Sequence, residues 1–148
     1  MAYILNIETS TTNCSVAVSY NGKQISLKED NNKQYSHAER LHLYIEEVLN
    51  TAKINTKNLD AISVSMGPGS YTGLRIGVSS AKGLCFALSI PLIAIPTLDS
   101  LSRKIKISDG YIVPLIDARR MEIYTAIFDP NYSCIEPTSA KILEHTSY

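Results

Sequence analysis

The chain has 148 residues, 45% of them hydrophobic and 19% charged, with 14 basic side chains set against 14 acidic ones. This composition excludes intrinsic disorder, which goes with few apolar residues and a large net charge. A formal charge of zero also speaks against an autonomous nucleic-acid binder, which needs a basic stripe to displace counterions from phosphates.

Residues 3–8 (YILNIE) and 14–19 (CSVAVS) are β-rich runs, and the polar residues 9–13 between them read as a turn, giving a hairpin. Asn21-Gly22 is a two-residue turn signal, and residues 23–28 alternate as a third strand. After a polar linker over 29–35, Ser36 and Glu39 form a capping-box pair at the start of a helix over 36–53. Leu41, Tyr44, Ile45, Val48, Leu49 and Ala52 recur there at helical spacing as one apolar face. Leu43 falls off that face and points to a second contact surface. Residues 60–66 alternate as a strand with Ile62, Val64 and Met66 on one side, and Gly67-Pro68-Gly69-Ser70 ends it before a helix over 71–88. The short apolar run 92–95, bounded by Pro91 and Pro96, suits a buried strand, and Thr97 is placed to cap a short helix carrying Leu98, Leu101 and Ile105.

The pattern then restarts. Residues 111–117 read as a strand, 122–128 as its hairpin partner, and Asp129-Pro130-Asn131 as a turn into a third strand near 132–135. An acidic residue, Glu8 and then Asp117, ends the first strand of each hairpin, a weak internal repeat. The order β-β-β-α-β-α-β-α followed by β-β-β implies an α/β protein, with helices packed on a mixed sheet.

No apolar run reaches the ~18–20 residues of a membrane span, and the N-terminus lacks a basic stretch followed by an apolar one. The expectation is a soluble, cytoplasmic globular protein. Cys14, Cys85 and Cys134 are far apart and form no CxxC pair, so they are expected as reduced, buried thiols. His37 and His42, five apart on a helix, point ~140° from each other, and His145 stands alone, so no metal site is expected.

Four features bear on chemistry. The GPGS turn opens a helix whose N-terminus could hold an anion; the plainer reading is a tight strand-to-helix connection with glycine at positive φ. Gly73, Gly77 and Ala81 recur every four residues, a bare stripe that lets another helix approach closely. Arg75, Ser79, Lys82 and Phe86 occupy a different face and mix charge with an aromatic ring, as protein interfaces do. Glu8 and Asp117, with Ser10 and Arg119 nearby in sequence, are the weak candidates for a Mg-phosphate site, or else ordinary turn-forming groups. No triad with an identifiable base is visible.

The segments YILNIETSTTNCSVAV, SMGPGSYTGLRIGVSSAKGLCFAL, IPLIAIPTLDSL and PLIDARRMEIYTAIF together resemble the TsaB (YeaZ) family, in order and over residues 3 to about 128. GPGSYTGLRIG is the most specific stretch. The resemblance implies the actin-like ATPase (ribonuclease-H-like) fold in two lobes, with residues 1–108 as the first lobe and 109–148 as the start of an incomplete second one. Such an incomplete lobe is expected to leave an apolar sheet face exposed, which favours self-association. The resemblance further implies a non-catalytic subunit that supports a homologous TsaD-type catalytic subunit, with a TsaE-type ATPase, in forming N6-threonylcarbamoyladenosine (t6A) in tRNA.

Where the catalytic relatives carry a histidine-rich metal motif, this chain reads Thr97-Leu98-Asp99-Ser100. Glu8 stands where nucleotide-binding relatives commonly have aspartate, which puts ATP and Mg binding in doubt. The interface implied for TsaD, or for a second copy, lies on helices 36–53 and 71–88, with Leu43, Gly73, Arg75, Gly77, Ala81, Lys82 and Phe86 as its candidates. The alternative is a small kinase or ATPase using Glu8 and Asp117; a peptidase lacks both metal site and triad.

Overall fold

The computed structural model describes residues 1–30, 37–145 and 147. The chain divides into two compact units, Met1–Met66 with Ser70–Ile95, and Gly67–Gly69 with Pro96–Tyr148.

The first unit holds a five-stranded sheet in the order β3-β2-β1-β4-β5, formed by β1 (Tyr3–Glu8), β2 (Cys14–Tyr20), β3 (Lys23–Asp30), β4 (Ala61–Gly67) and β5 (Leu92–Pro96). β1 pairs antiparallel with β2 and parallel with β4, so the sheet is mixed. Asn21 (φ 50°) and Gly22 (φ 74°) make the left-handed turn between β2 and β3 that their sequence favours. Because side chains alternate along a strand, Leu5, Ile7, Val16, Val18, Ile62 and Val64 fall on one face and are buried there. Onto this face pack α1 (His37–Thr51), through Leu41, Ile45, Val48 and Leu49, and α2 (Tyr71–Leu88), through Ala81 and Cys85. Each large aliphatic side chain so buried contributes ~1.5–3 kcal/mol, which makes this cluster the main source of the unit's stability. The other face of the sheet is polar along its middle. There the Asn6 amide donates to Ser19 Oγ at 3.1 Å, and its oxygen accepts from Ser63 Oγ at 2.7 Å.

Several sequence expectations need correction in this unit. Met66, on the same side of β4 as Ile62 and Val64 by alternation, is not buried with them: it lies beyond Val64, the last β4 residue paired with β1, and is 58% exposed. β5 is an edge strand, with Ile93 and Ala94 exposed, because a short apolar run does not reveal whether a strand has neighbours on both sides. Ser36 of the expected capping box lies outside the described residues.

In the second unit, α3 (Thr97–Ser102) precedes an antiparallel sheet of β6 (Leu115–Arg119), β7 (Glu122–Phe128) and β8 (Cys134–Ile142), in the order β6-β7-β8. Its core is Leu98, Ile112, Ala126 and Phe128, with Ile107 packed alongside. These contacts draw residues 96–108 to the second unit, whereas the sequence reading put a boundary at 108. Thr97 does not cap α3: it is the first helical residue after Pro96, and its buried hydroxyl has no partner among the described residues. The strand expected over 111–117 is displaced, with Ile112 making only an isolated bridge to Phe128 before β6 begins at Leu115. Continuous pairing starts only past Pro114, which has no N–H to give a ladder. β8 runs much further than expected, as an edge strand whose Ile135 and Ile142 are exposed.

Candidate functional site

The β1–β2 loop begins where β1 ends at Glu8, and its residues are held by hydrogen bonds to distant parts of the first unit. The Glu8 carboxylate accepts from Ser10 N at 2.7 Å through Oε1 and from the Ser65 hydroxyl through Oε2. Thr9 is buried, and its hydroxyl donates to Gly73 O at 2.8 Å. Ser10 O accepts from Ser70 N at 2.6 Å, and Thr11 O lies 2.8 Å from His37 Nε2 at the start of α1. Ser10 is itself buried, and its hydroxyl has no partner among the described residues. Glu8 is therefore engaged through both oxygens by the chain's own donors, and Ser10 is closed to solvent. The Ser10 hydroxyl is thus turned away from solvent, and the Glu8 carboxylate is held in place by two internal donors.

The bare stripe of α2 faces this loop. A Cβ on Gly73 would overlap Thr9 O, and one on Gly77 would overlap Thr9 Oγ1. Ala81, the next residue in the stripe, is fully buried in the main core. The expectation that Gly73, Gly77 and Ala81 lie open to another helix is thus corrected: what approaches this helix so closely is the protein's own loop. The GPGS turn follows the plainer of its two readings. Gly67 has φ 114°, and Ser70 caps α2 by accepting from Gly73 N at 3.3 Å.

The opposite face of α2 is the exposed one. Arg75, Ser79 and Lys82 all face solvent, and Phe86 is 90% exposed. Tyr71, not singled out in the sequence, joins them at 74% exposure, and the Arg75 guanidinium sits 5.5 Å from its ring centre. The i,i+4 spacing of the two residues was the available signal. α1 lies beside α2, with His42 Nε2 3.5 Å from Ser80 Oγ, and Leu43 projects from it at 57% exposure. Surface aromatics and large aliphatics on adjacent helices, flanked by Arg and Lys, have the composition of an interface centre.

In the same N-terminal half of α1, Arg40 Nη1 pairs with Asp30, and the Tyr44 hydroxyl donates to Asp30 Oδ2 at 3.2 Å. Burial pushes the Tyr44 phenol above its ordinary pKa, against the opposing pull of Arg40. Burial likewise raises the Cys14 and Cys85 thiols. Cys134, expected to be buried, is exposed on the edge strand.

In the second unit, Asp117 Oδ1 accepts from Arg119 N at 2.7 Å, a local turn contact. Arg119, Arg120 and Met121 form the β6–β7 hairpin tip with φ values of 71°, 55° and 62°. Among the described residues, no group of three or more His, Cys, Asp or Glu side chains is arranged to hold a metal ion. No described helix is long and apolar enough to cross a membrane.

Residues 31–145 match the family model described as TsaD: tRNA N6-adenosine threonylcarbamoyltransferase. The tRNA threonylcarbamoyladenosine biosynthesis protein TsaB of Bacillus subtilis is 38% identical over 101 residues, covering 68% of this chain and 44% of the relative. The chain spans about half the length of the curated relatives it matches. The solved structure of YeaZ from Pseudomonas aeruginosa superposes with a TM-score of 0.83 at 29% identity, over 100% of this chain and 71% of that one. At 12% identity, the activator of the 2-hydroxyisocaproyl-CoA dehydratase from Clostridium difficile shares the fold, with a TM-score of 0.55 over 95% of this chain and 46% of that one. The fold is accordingly the actin-like ATPase fold.

Proposed function

We propose, since the chain belongs to the TsaB (YeaZ) family, that it is a non-catalytic subunit that binds and supports a TsaD-type catalytic subunit in forming t6A in tRNA. The observation that carries this reading is the outer face of α2, where Phe86 is 90% exposed one turn beyond the exposed Lys82, on the same helix as the exposed Arg75, while Leu43 of α1 is exposed as well. An aromatic ring left so open costs solvation in the free chain, and burial in a partner's pocket would recover it. The glycine stripe serves the interface indirectly, by seating α2 on the loop. The tying of Glu8 to Ser10 and Ser65 weighs against the alternative of a small kinase or ATPase. On this reading the complex works in the cytoplasm, a TsaE-type ATPase joins it, and much of the tRNA contact falls to the partners. A second copy of the chain would compete for the same helices.

The test is co-purification with the TsaD homologue of the same organism, read by light scattering. The wild-type chain should give a heterodimer. Phe86→Asp should weaken the complex at least ~30-fold, as loss of a hot-spot aromatic does, while leaving the melting temperature unchanged. Undiminished binding by the folded variant would remove this face from the interface.

A further inference from the structure

Three consecutive residues of the β1–β2 loop are each fastened near the start of a helix. Thr9 Oγ1 bonds to Gly73 O in the first turn of α2, Ser10 O accepts from Ser70 N at the α2 cap, and Thr11 O meets His37 Nε2 at the first residue of α1. The same loop fixes Glu8, because Ser10 N donates to its carboxylate at 2.7 Å. Gly73 and Gly77 leave no slack between loop and helix, since even a methyl group on either would strike Thr9. The first turn of α2 therefore carries two sets of contacts on opposite sides. Tyr71 and Arg75 face outward, while Gly73 holds the loop inside.

We propose that residues 9–11 are a strap that couples partner docking on the outer faces of α1 and α2 to the ordering of Glu8. Helix ends open locally at lower cost than helix middles, and the strap, buried at Thr9 and Ser10, is tied to two such ends. A partner that clamps the outside of α2 removes part of that freedom, and the strap shares it through bonds to the same turn. Two sites joined by one segment that either orders can be linked without any change of fold. The inference rests on the docking reading above and adds a direction to it: engagement at Tyr71, Arg75 and Phe86 is felt at the end of β1.

The test is amide hydrogen exchange on the full chain, alone and with the TsaD homologue, comparing residues 9–13 in wild type, Thr9→Val and Thr9→Ser. In wild type, the complex should slow exchange at these amides ~5-fold or more, the low end of ordinary coupling between sites. Thr9→Val, which keeps the shape but loses the donor to Gly73 O, should still bind and lose most of that slowing. Thr9→Ser, which keeps the hydroxyl, should retain it. A complex that forms with unchanged exchange at residues 9–13 overturns the strap while leaving the docking reading intact; so does equal slowing in Thr9→Val. Absence of any complex overturns both.

Discussion

Three glycines of α2 test the packing of the β1–β2 loop against each other within one helix. Replacing glycine by alanine inside a helix gains ~1 kcal/mol if the methyl group meets nothing. At Gly83 nothing lies within 4 Å of the added carbon, so Gly83→Ala should stabilise the chain by about that amount. At Gly77 the methyl overlaps Thr9 Oγ1. Moving that hydroxyl breaks its bond to Gly73 O, worth ~1 kcal/mol, and adds ~1–3 kcal/mol of overpacking, so the net effect is a loss of ~1–3 kcal/mol. At Gly73 the obstacle is the Thr9 backbone carbonyl, which can move only with the loop. Displacing it endangers both the Thr9–Gly73 and Ser70–Ser10 hydrogen bonds, and the loss rises to ~2–4 kcal/mol. Urea titration of the isolated chain, followed by circular dichroism, should rank the variants in the order 83, wild type, 77, 73. Thr9→Ala should partly rescue Gly77→Ala, with a coupling of ~0.5–3 kcal/mol in the double-mutant cycle. If Gly73→Ala were as stable as Gly83→Ala, the loop would not be seated on this helix, and the internal role of the stripe would have to be abandoned.

The thiols offer a second check: at pH 8 an alkylating reagent should modify Cys134 quickly on the folded chain, while Cys14 and Cys85, buried and with raised pKa, react only on unfolding. Mass spectrometry of peptides counts the labels, and early modification of Cys14 would contradict its place in the core. A third concerns Tyr44, whose phenol is held by burial above its ordinary value of 10.0. Between the unfolded and folded pKa the native state keeps the proton that the unfolded state releases, so this contribution is complete below pH ~10 and falls away as pH rises through the folded value. Tyr44→Phe should therefore flatten the decline of stability above pH ~10; a decline equally steep in the variant would assign it to other groups.

How far the sequence reached depended on whether a feature was local. The bounds of α2 and β7 follow from periodicity and turn residues alone, and the structure keeps both as read. The edge position of β5 could not be read in that way, because a short apolar run between prolines looks alike at an edge and in a centre. The Glu8–Ser65 bond joins residues 57 apart, and no spacing rule reaches across that distance. The glycine stripe is the most instructive case. Its pattern correctly signalled a close approach to α2, but a pattern of small residues states only that something comes near, not what. Thr9 occupies the groove, so of the candidate interface residues Gly73 and Gly77 hold the loop, while Arg75, Lys82 and Phe86 on the other face stand open to solvent. The two sides remain linked, since Tyr71, Arg75 and Phe86 share one face of α2 and move together if the helix is lifted from its loop. A substitution under the helix should then weaken partner binding without touching the partner, and the outer substitution Phe86→Asp should weaken it without altering the loop.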